Sequence, residues 1–372
     1  MTAYKIALLD GDGIGPEITA EAVKILNLVA SRNNLELDLE HGAFGANAYF
    51  DHGHSFPEAT KALCDSADAI LKGPIGLNHE ESKKIPVDMQ PERGALLPLR
   101  RRYNTFANIR PVYLPKDLAH FSPLKPEIIG DGIDFIIIRE LVGGLYFGKK
   151  ETGINEQGKR YVNEMLEYDE DQIAAISKVA FETSMKRNKV LHNIHKSNVL
   201  KSSVLWNEVL EEVGQDYPEV EVKHILVDAA ATYMCLNPGQ FDVMVMENMF
   251  GDILSDQAGG ILGSLGLMPS ACLGPEKAYY EPSHGSAPDI AGQNIANPYS
   301  MIGSVAMMLE MSFGLEAEAR NVWHAMQSVF AQGNSTPDLS KPGDGVKMIS
   351  TQAFGDLVVS ELDKTPIPAW KD

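Results

Sequence analysis

The chain has 372 residues, 44% hydrophobic and 22% charged, an ordinary globular composition and a length that suits two domains or one large one. A formal net charge of -19 argues against general nucleic-acid binding and against docking on anionic membrane surfaces. Its three cysteines, Cys64, Cys235 and Cys272, are widely spaced without a CxxC pair, which argues against disulfides or a thiolate zinc site and fits the cytoplasm.

Residues 6–9 are a short apolar run that reads as a buried strand. The N-terminal stretch lacks the basic flank and long apolar core of a signal peptide, and no run of 18 apolar residues marks a membrane span. Gly11, Gly13 and Gly15 break the strand, and Pro16 opens a helix whose apolar face is Ile18, Ala22, Val23, Ile25 and Leu26. This loop is not the GxGxxG dinucleotide fingerprint, because the third glycine comes one residue early and proline follows. A tight turn entering a helix is its expected role. Ala69–Leu71 reads as a strand end and Phe135–Ile138 as a central strand, while the polar stretch 152–167 suggests an exposed arm or hairpin. Helical patterns over 171–186 and 203–213 alternate with strands at 190–194, 224–227 and 241–246, and helices follow at 300–313 and 315–330. Such alternation predicts an α/β architecture.

Asp252 and Asp256 are four residues apart, so on a helix they share one face. A solvated acidic face is the plain reading of such a pair. The apolar neighbours Phe250, Ile253 and Leu254 favour instead a compensating hard cation, Mg²⁺ or Mn²⁺. The stretch from Glu281 through His284, Gly285, Ser286, Ala287 and Asp289 to Asn297 is rich in small residues and backbone donors. It can wrap a nucleotide, or be an ordinary turn-rich connection. Arg100, Arg110 and Arg139 are candidates for gripping carboxylates, Arg139 because it ends a buried strand where α/β sheets bind ligands. Arg101 and Arg102 read as surface salt-bridge partners. Tyr146, after Gly143-Gly144, can deliver a proton, and Lys196, just after a strand, is a candidate base.

Together these segments resemble the β-decarboxylating dehydrogenases of the isocitrate and isopropylmalate type. The likeness runs from Gly11 to the 340s and rests on Arg139–Gly148, Asn248–Asp256 and Glu281–Asn297 in the family's order and spacing. It implies a two-domain α/β fold around a large mixed sheet, not a Rossmann fold. Residues 1–105 and 263–372 would form a cofactor-binding domain, and 106–262 a substrate, metal and dimerisation domain. It implies NAD as oxidant and Mg²⁺ or Mn²⁺ held by Asp252 and Asp256 with Asp228 from the partner subunit of a homodimer. Lys196, also from the partner, would take the substrate hydroxyl proton, and Tyr146 would protonate the enol at C3. Arg100, Arg110 and Arg139, with Asp228, would hold the diacid, and Asn198 would lie near the nicotinamide. Glu281, His284, Gly285, Ser286, Ala287, Asp289 and Asn297 would line the cofactor. The family's active sites lie in an interdomain cleft and borrow residues across the dimer.

Leu96, Leu97 and Val199 would form an apolar pocket for an isopropyl group, which favours 3-isopropylmalate over isocitrate. Asp289 would repel a 2′-phosphate, favouring NAD over NADP. Three positions depart from the isopropylmalate pattern. His195 stands where aspartate is usual, Lys72–Gly76 resembles the wider family's loop, and Val142 replaces threonine. His195 is expected to alter the electrostatics around Lys196. The departures keep 3-methylmalate, D-malate and tartrate open as substrates, and a non-catalytic regulatory subunit is the alternative from another class.

Overall fold

The computed structural model describes residues 3–340 and 345–366. Positions 1–2, 341–344 and 367–372 of the expected first domain lie outside the described residues. The chain divides into two compact units, one made of Met1–Tyr103, His120–Pro123 and Leu262–Asp372, the other of Asn104–Ala119 and Leu124–Ile261. Residues 120–123 thus leave the stretch expected for the second domain and join the first unit. The reason is local: the Phe121 ring packs edge-on against Phe330 at 5.3 Å.

The first unit carries strands in the order Glu36–His41, Ala3–Leu9, Ala69–Lys72, Ala278–Pro282, Pro269–Leu273. The first four run parallel and the last pair is antiparallel. Ile6–Leu9 are fully buried, as their unbroken apolar run requires of a strand covered on both faces. The next helix is Gly15–Asn33, started by Pro16 and ended by Asn34 in the left-handed region at φ 51°. Ile18, Ala22, Ile25 and Leu26 are buried on it as expected, whereas Val23 is half-buried. The glycine loop is a packing junction. Gly11 and Gly13 have positive φ, and a Cβ on either would collide with a backbone carbonyl, of Pro74 and Ser286 respectively. The Asp12 carboxylate inside the loop accepts hydrogen bonds from the backbone of Ala46, Asn47 and Gly76 at 2.9–3.0 Å.

In the second unit the order is Ala107–Pro115, Gly132–Glu140, Val243–Met246, Val190–His195, Glu221–Leu226. The first pair is antiparallel and the last four strands are mutually parallel. Register aligns Arg139 with Met246, Met246 with Ile194, and His195 with Leu226. The four parallel strands therefore end along one edge, where α/β sheets place their ligands. Helices Glu170–Met185, Lys201–Gly214, Val227–Leu236 and Asn248–Leu262 connect and follow them. The first of these starts with a reciprocal capping box between Asp169 and Gln172. Two strand boundaries differ from the expected ones, and the strand expected at 224–227 runs Glu221–Leu226. Val227 already belongs to a helix, and Phe241-Asp242 precede the strand because the Asp242 side chain is drawn to Arg187 and Asn188. The polar arm is a two-stranded hairpin, Lys150–Ile154 with Arg160–Glu164.

Candidate active site

Arg139 is the last-but-one residue of its strand, and its side chain is 1% exposed. Such a charge must be satisfied internally. Asn248 opens the helix that follows the neighbouring strand, and its Oδ1 accepts from Arg139 Nε at 3.1 Å and Nη2 at 2.7 Å. Arg139 Nη1 is left to donate to Asp252 Oδ1 one turn on. Tyr146 OH donates to the other oxygen of Asp252 at 2.8 Å, and its pKa is pushed up to about 12 by burial and by that carboxylate. Asp256, a further turn along, faces Arg110 Nη1 at 3.7 Å. Arg110 is itself fixed by Asn108 Oδ1 at 2.7 Å and Ser255 Oγ at 2.5 Å. Burial raises the Asp256 pKa, and Arg110 opposes the rise. The helix thus presents two carboxylates, each with an arginine beside it.

The scaffold beneath this centre is a second set of buried acids. Glu247 caps the helix by accepting from the backbone of Met249 and Phe250 at 3.1 Å. Glu140 accepts from Val142 and Gly143 at 2.8 and 2.9 Å. Tyr168 OH donates to Glu140 at 3.0 Å and accepts from the Asn248 backbone at 3.0 Å. A Cβ at Gly143 or Gly144 would press on the Tyr168 ring, which explains why both positions are glycine. Burial raises the pKa of both Glu140 and Glu247.

Lys196 follows the strand Val190–His195 in a turn closed by Val199 and Leu200 backbone bonds to its carbonyl, at 3.0 and 2.9 Å. Its Nζ donates to Asp228 Oδ1 at 2.8 Å, and this bond lowers the Asp228 pKa. His195 Nδ1 accepts from the Ser197 backbone at 3.2 Å, and burial lowers its pKa, so at neutral pH it is an uncharged prop of the lysine turn. Asn198 is exposed, and Val199 is 70% exposed.

In the first unit, Arg100 is buried and its Nε donates to Tyr279 OH at 3.1 Å. Half-buried Leu96 and Leu97 precede it in a widened turn where the Leu97 N–H reaches back five residues to Glu92. Ser286 is buried and its Oγ donates to the Gly76 carbonyl at 2.8 Å. Gly285 and Asp289 are exposed, and exposed Ala287 adopts a left-handed φ of 41°. His284 Nδ1 donates to the Gly285 carbonyl at 2.8 Å, while its Nε2 is buried without a protein partner, as is Ser283 Oγ. Those unsatisfied atoms fit a bound polar molecule along this loop.

Several expected residues turn inward instead. Glu281 is in a buried ion pair with Lys72, and Asn297 spends its side chain on Asp338 and the Tyr299 backbone. Asp228 does not join Asp252 and Asp256: among the described residues of one chain, no group of three His, Cys, Asp or Glu is placed to hold a metal. Asp252 and Asp256 alone form an all-oxygen pair on one helix face, 41% and 58% exposed, which suits a hard divalent cation with ligand positions left over. Arg102 pairs with Asp65 at the surface, as expected. Asn108, Ser255, Glu140, Tyr168 and Glu247 were not singled out from the sequence. Only Glu247 and Asn248 carried a signal there, as polar residues between an apolar strand and the Asp252–Asp256 helix.

Carboxylates, arginines, a tyrosine and a lysine gather on the carboxyl edge of a parallel sheet, the groups an enzyme needs to bind a small anion and move its protons. A family model described as isocitrate/isopropylmalate dehydrogenase matches residues 5–358. The chain belongs to the isocitrate/isopropylmalate dehydrogenase family. It is 47% identical over 360 residues to 3-isopropylmalate dehydrogenase of Chromobacterium violaceum, covering 96% of this chain and 100% of that one. The Bacillus licheniformis protein of the same name is 48% identical over 360 residues, with 96% and 95% covered. Among solved structures, isocitrate dehydrogenase from Methylococcus capsulatus superposes with a TM-score of 0.84 at 32% identity, covering 97% of this chain and all of that one.

Proposed function

We propose that this chain carries out the NAD-dependent oxidative decarboxylation of (2R,3S)-3-isopropylmalate to 4-methyl-2-oxopentanoate and CO₂, a step of leucine biosynthesis, in the cytoplasm. The observation that carries the reading is near-complete coverage by 3-isopropylmalate dehydrogenases at 44–48% identity. Among the described residues no helix is long and apolar enough to cross a membrane.

In this reading Arg110, Arg139 and Arg100 hold the two carboxylates of the diacid. Lys196, steadied by Asp228, takes the proton of the 2-hydroxyl. Tyr146, protonated at neutral pH, gives a proton to C3 after the C3 carboxylate leaves. Asp252 and Asp256, with Asp228 of a second subunit, would hold Mg²⁺ or Mn²⁺, which when bound polarises the hydroxyl oxygen as a Lewis acid. NAD, when bound, accepts the hydride from C2. His284, Gly285, Ser286 and Ala287 would line it, Asp289 would accept its ribose hydroxyls, and Asn198, Glu281 and Asn297 complete the proposed set. Leu96, Leu97 and Val199 would cover the isopropyl group, whose burial is worth about 2 kcal/mol. The first unit is the cofactor domain in this scheme. The second carries substrate, metal and the homodimer contact, for which Ile154 and Val162 on the hairpin, 71% and 65% exposed, are apolar anchors.

The test is NADH formation with 3-isopropylmalate beside D-malate, 3-methylmalate, tartrate, isocitrate and homoisocitrate, with Mg²⁺ or Mn²⁺. The highest kcat/KM is expected for 3-isopropylmalate, with activity abolished by chelator. A preference for another diacid, the reading favoured by Lys72–Gly76 and His195, would keep the chemistry and overturn the pocket assignment. Silence on every acid from a folded protein would favour a regulatory subunit.

A further inference from the structure

Lys72 ends a central strand of the first unit with its side chain 1% exposed. Its Nζ pairs with Glu281 Oε2 at 2.6 Å and also donates to the Gly73 carbonyl at 2.9 Å. The other oxygen of Glu281 faces Arg100 Nη2 at 3.9 Å, too far for a hydrogen bond. Arg100 and Glu281 side chains are each 7% exposed. Among the described residues, two buried cations therefore face one carboxylate, and the cluster carries a surplus positive charge. A surplus charge out of water calls for an anion. Lys72 opens one of the segments that depart from the isopropylmalate pattern, and the proposed chemistry gives it no task.

We infer that Lys72 is a positioning residue for Arg100: by occupying Glu281 it leaves the Arg100 guanidinium to an anionic ligand instead of to the protein's own carboxylate. This rests on the reading of Arg100 as a holder of a substrate carboxylate. Without Lys72, Glu281 would be buried with the Arg100 guanidinium 3.9 Å away. A shift of about 1 Å would close the two into a charge-assisted pair. A diacid would then have to displace Glu281 in order to bind. Tyr279 OH, which fixes Arg100 Nε, leaves the outer nitrogens as the part that can be drawn either way.

The experiment compares the parent, Lys72→Met, Glu281→Gln and the double variant. Calorimetry measures binding of 3-isopropylmalate and D-malate with Mg²⁺ and without NAD, and steady-state kinetics follow. Lys72→Met should raise the diacid Kd and KM at least tenfold while kcat stays within about threefold. The double variant should recover most of the loss in diacid Kd measured without NAD, because a neutral amide at position 281 no longer competes. Glu281→Gln alone should bind the diacid at least as tightly as the parent. An unchanged Kd in folded Lys72→Met, no recovery in the double variant, or weaker binding by Glu281→Gln would each overturn the inference. Should Lys72→Met fail to fold, the Glu281→Gln result still decides. If the parent turns over no diacid, the functional reading fails on its own, and the binding series still tests the arginine.

Discussion

Tyr146 shows how a single environment sets a proton donor. Its phenol donates to Asp252, and burial with that carboxylate pushes its pKa up to about 12. The group is therefore protonated throughout the neutral range. Tyr146→Phe removes the proton but keeps the ring over which Arg139 lies, at 5.8 Å. We expect kcat to fall about 10²- to 10⁴-fold with a much smaller change in KM, as for loss of a general acid. A kcat within threefold of the parent would remove Tyr146 from the chemistry. His192 gives a stability prediction at the same scale. It is 1% exposed, lies against Phe241, and has Nδ1 without a partner, and burial lowers its pKa below 6.5. Above 6.5 neither folded nor unfolded chain binds the proton. Below 6.5 the unfolded chain binds it first, so stability falls with acidification by up to about 1.4 kcal/mol per pH unit until the folded pKa is reached. His192→Phe should flatten that dependence. Denaturant midpoints of parent and variant, compared between about pH 7.5 and about 5.5, check it; parallel curves would contradict it.

The helix Asn248–Leu262 is the element on which the centre depends. Its capping residue Glu247, its first residue Asn248 and its acids Asp252 and Asp256 lie along successive turns, so one rigid body sets their spacing. Gly251 sits between them, and a Cβ there would press into the Arg139 side chain. Alanine is ordinarily the better helix former by about 1 kcal/mol. Gly251→Ala should therefore leave helix content intact while displacing Arg139, lowering kcat/KM for the diacid by tenfold or more. Circular dichroism with steady-state kinetics separates the two effects, and full activity in the variant would show that Arg139 has room to move. The parallel strands are the other determining element. Their common direction brings Arg139, Glu247, His195 and the start of the Asp228 helix to one edge.

For the whole molecule, the proposal turns on a second copy. One chain pairs Asp228 with Lys196 and does not bring Asp228 into a three-ligand group with Asp252 and Asp256. Shared sites would account for both facts. Ile154→Glu with Val162→Glu places two charges on the exposed apolar hairpin face. It should halve the mass measured by light scattering and abolish turnover. A dimer of parent mass would move the contact elsewhere. Mixing Lys196→Ala with Asp252→Asn under exchange conditions should restore activity that neither shows alone. No recovery would place all catalytic residues in one chain.

By itself the sequence determined what is local. Apolar runs with polar or glycine flanks marked the buried strands, Pro16 the helix start, and the four-residue spacing of Asp252 and Asp256 put both acids on one face, because helical and strand periods are short-range properties. The edge strand Glu36–His41 escaped, since it carries alternating charged residues and little apolar signal. The strand Ala107–Pro115 escaped because its two prolines weigh against a ladder. Only the tertiary structure decided which partners the buried charges find. Arg110 meets Ser255 145 positions away, Tyr168 reaches Asn248, and Lys72 meets Glu281. Those pairings follow from strand order and register, which bring distant segments together, and charges without water must take whichever partner that packing supplies.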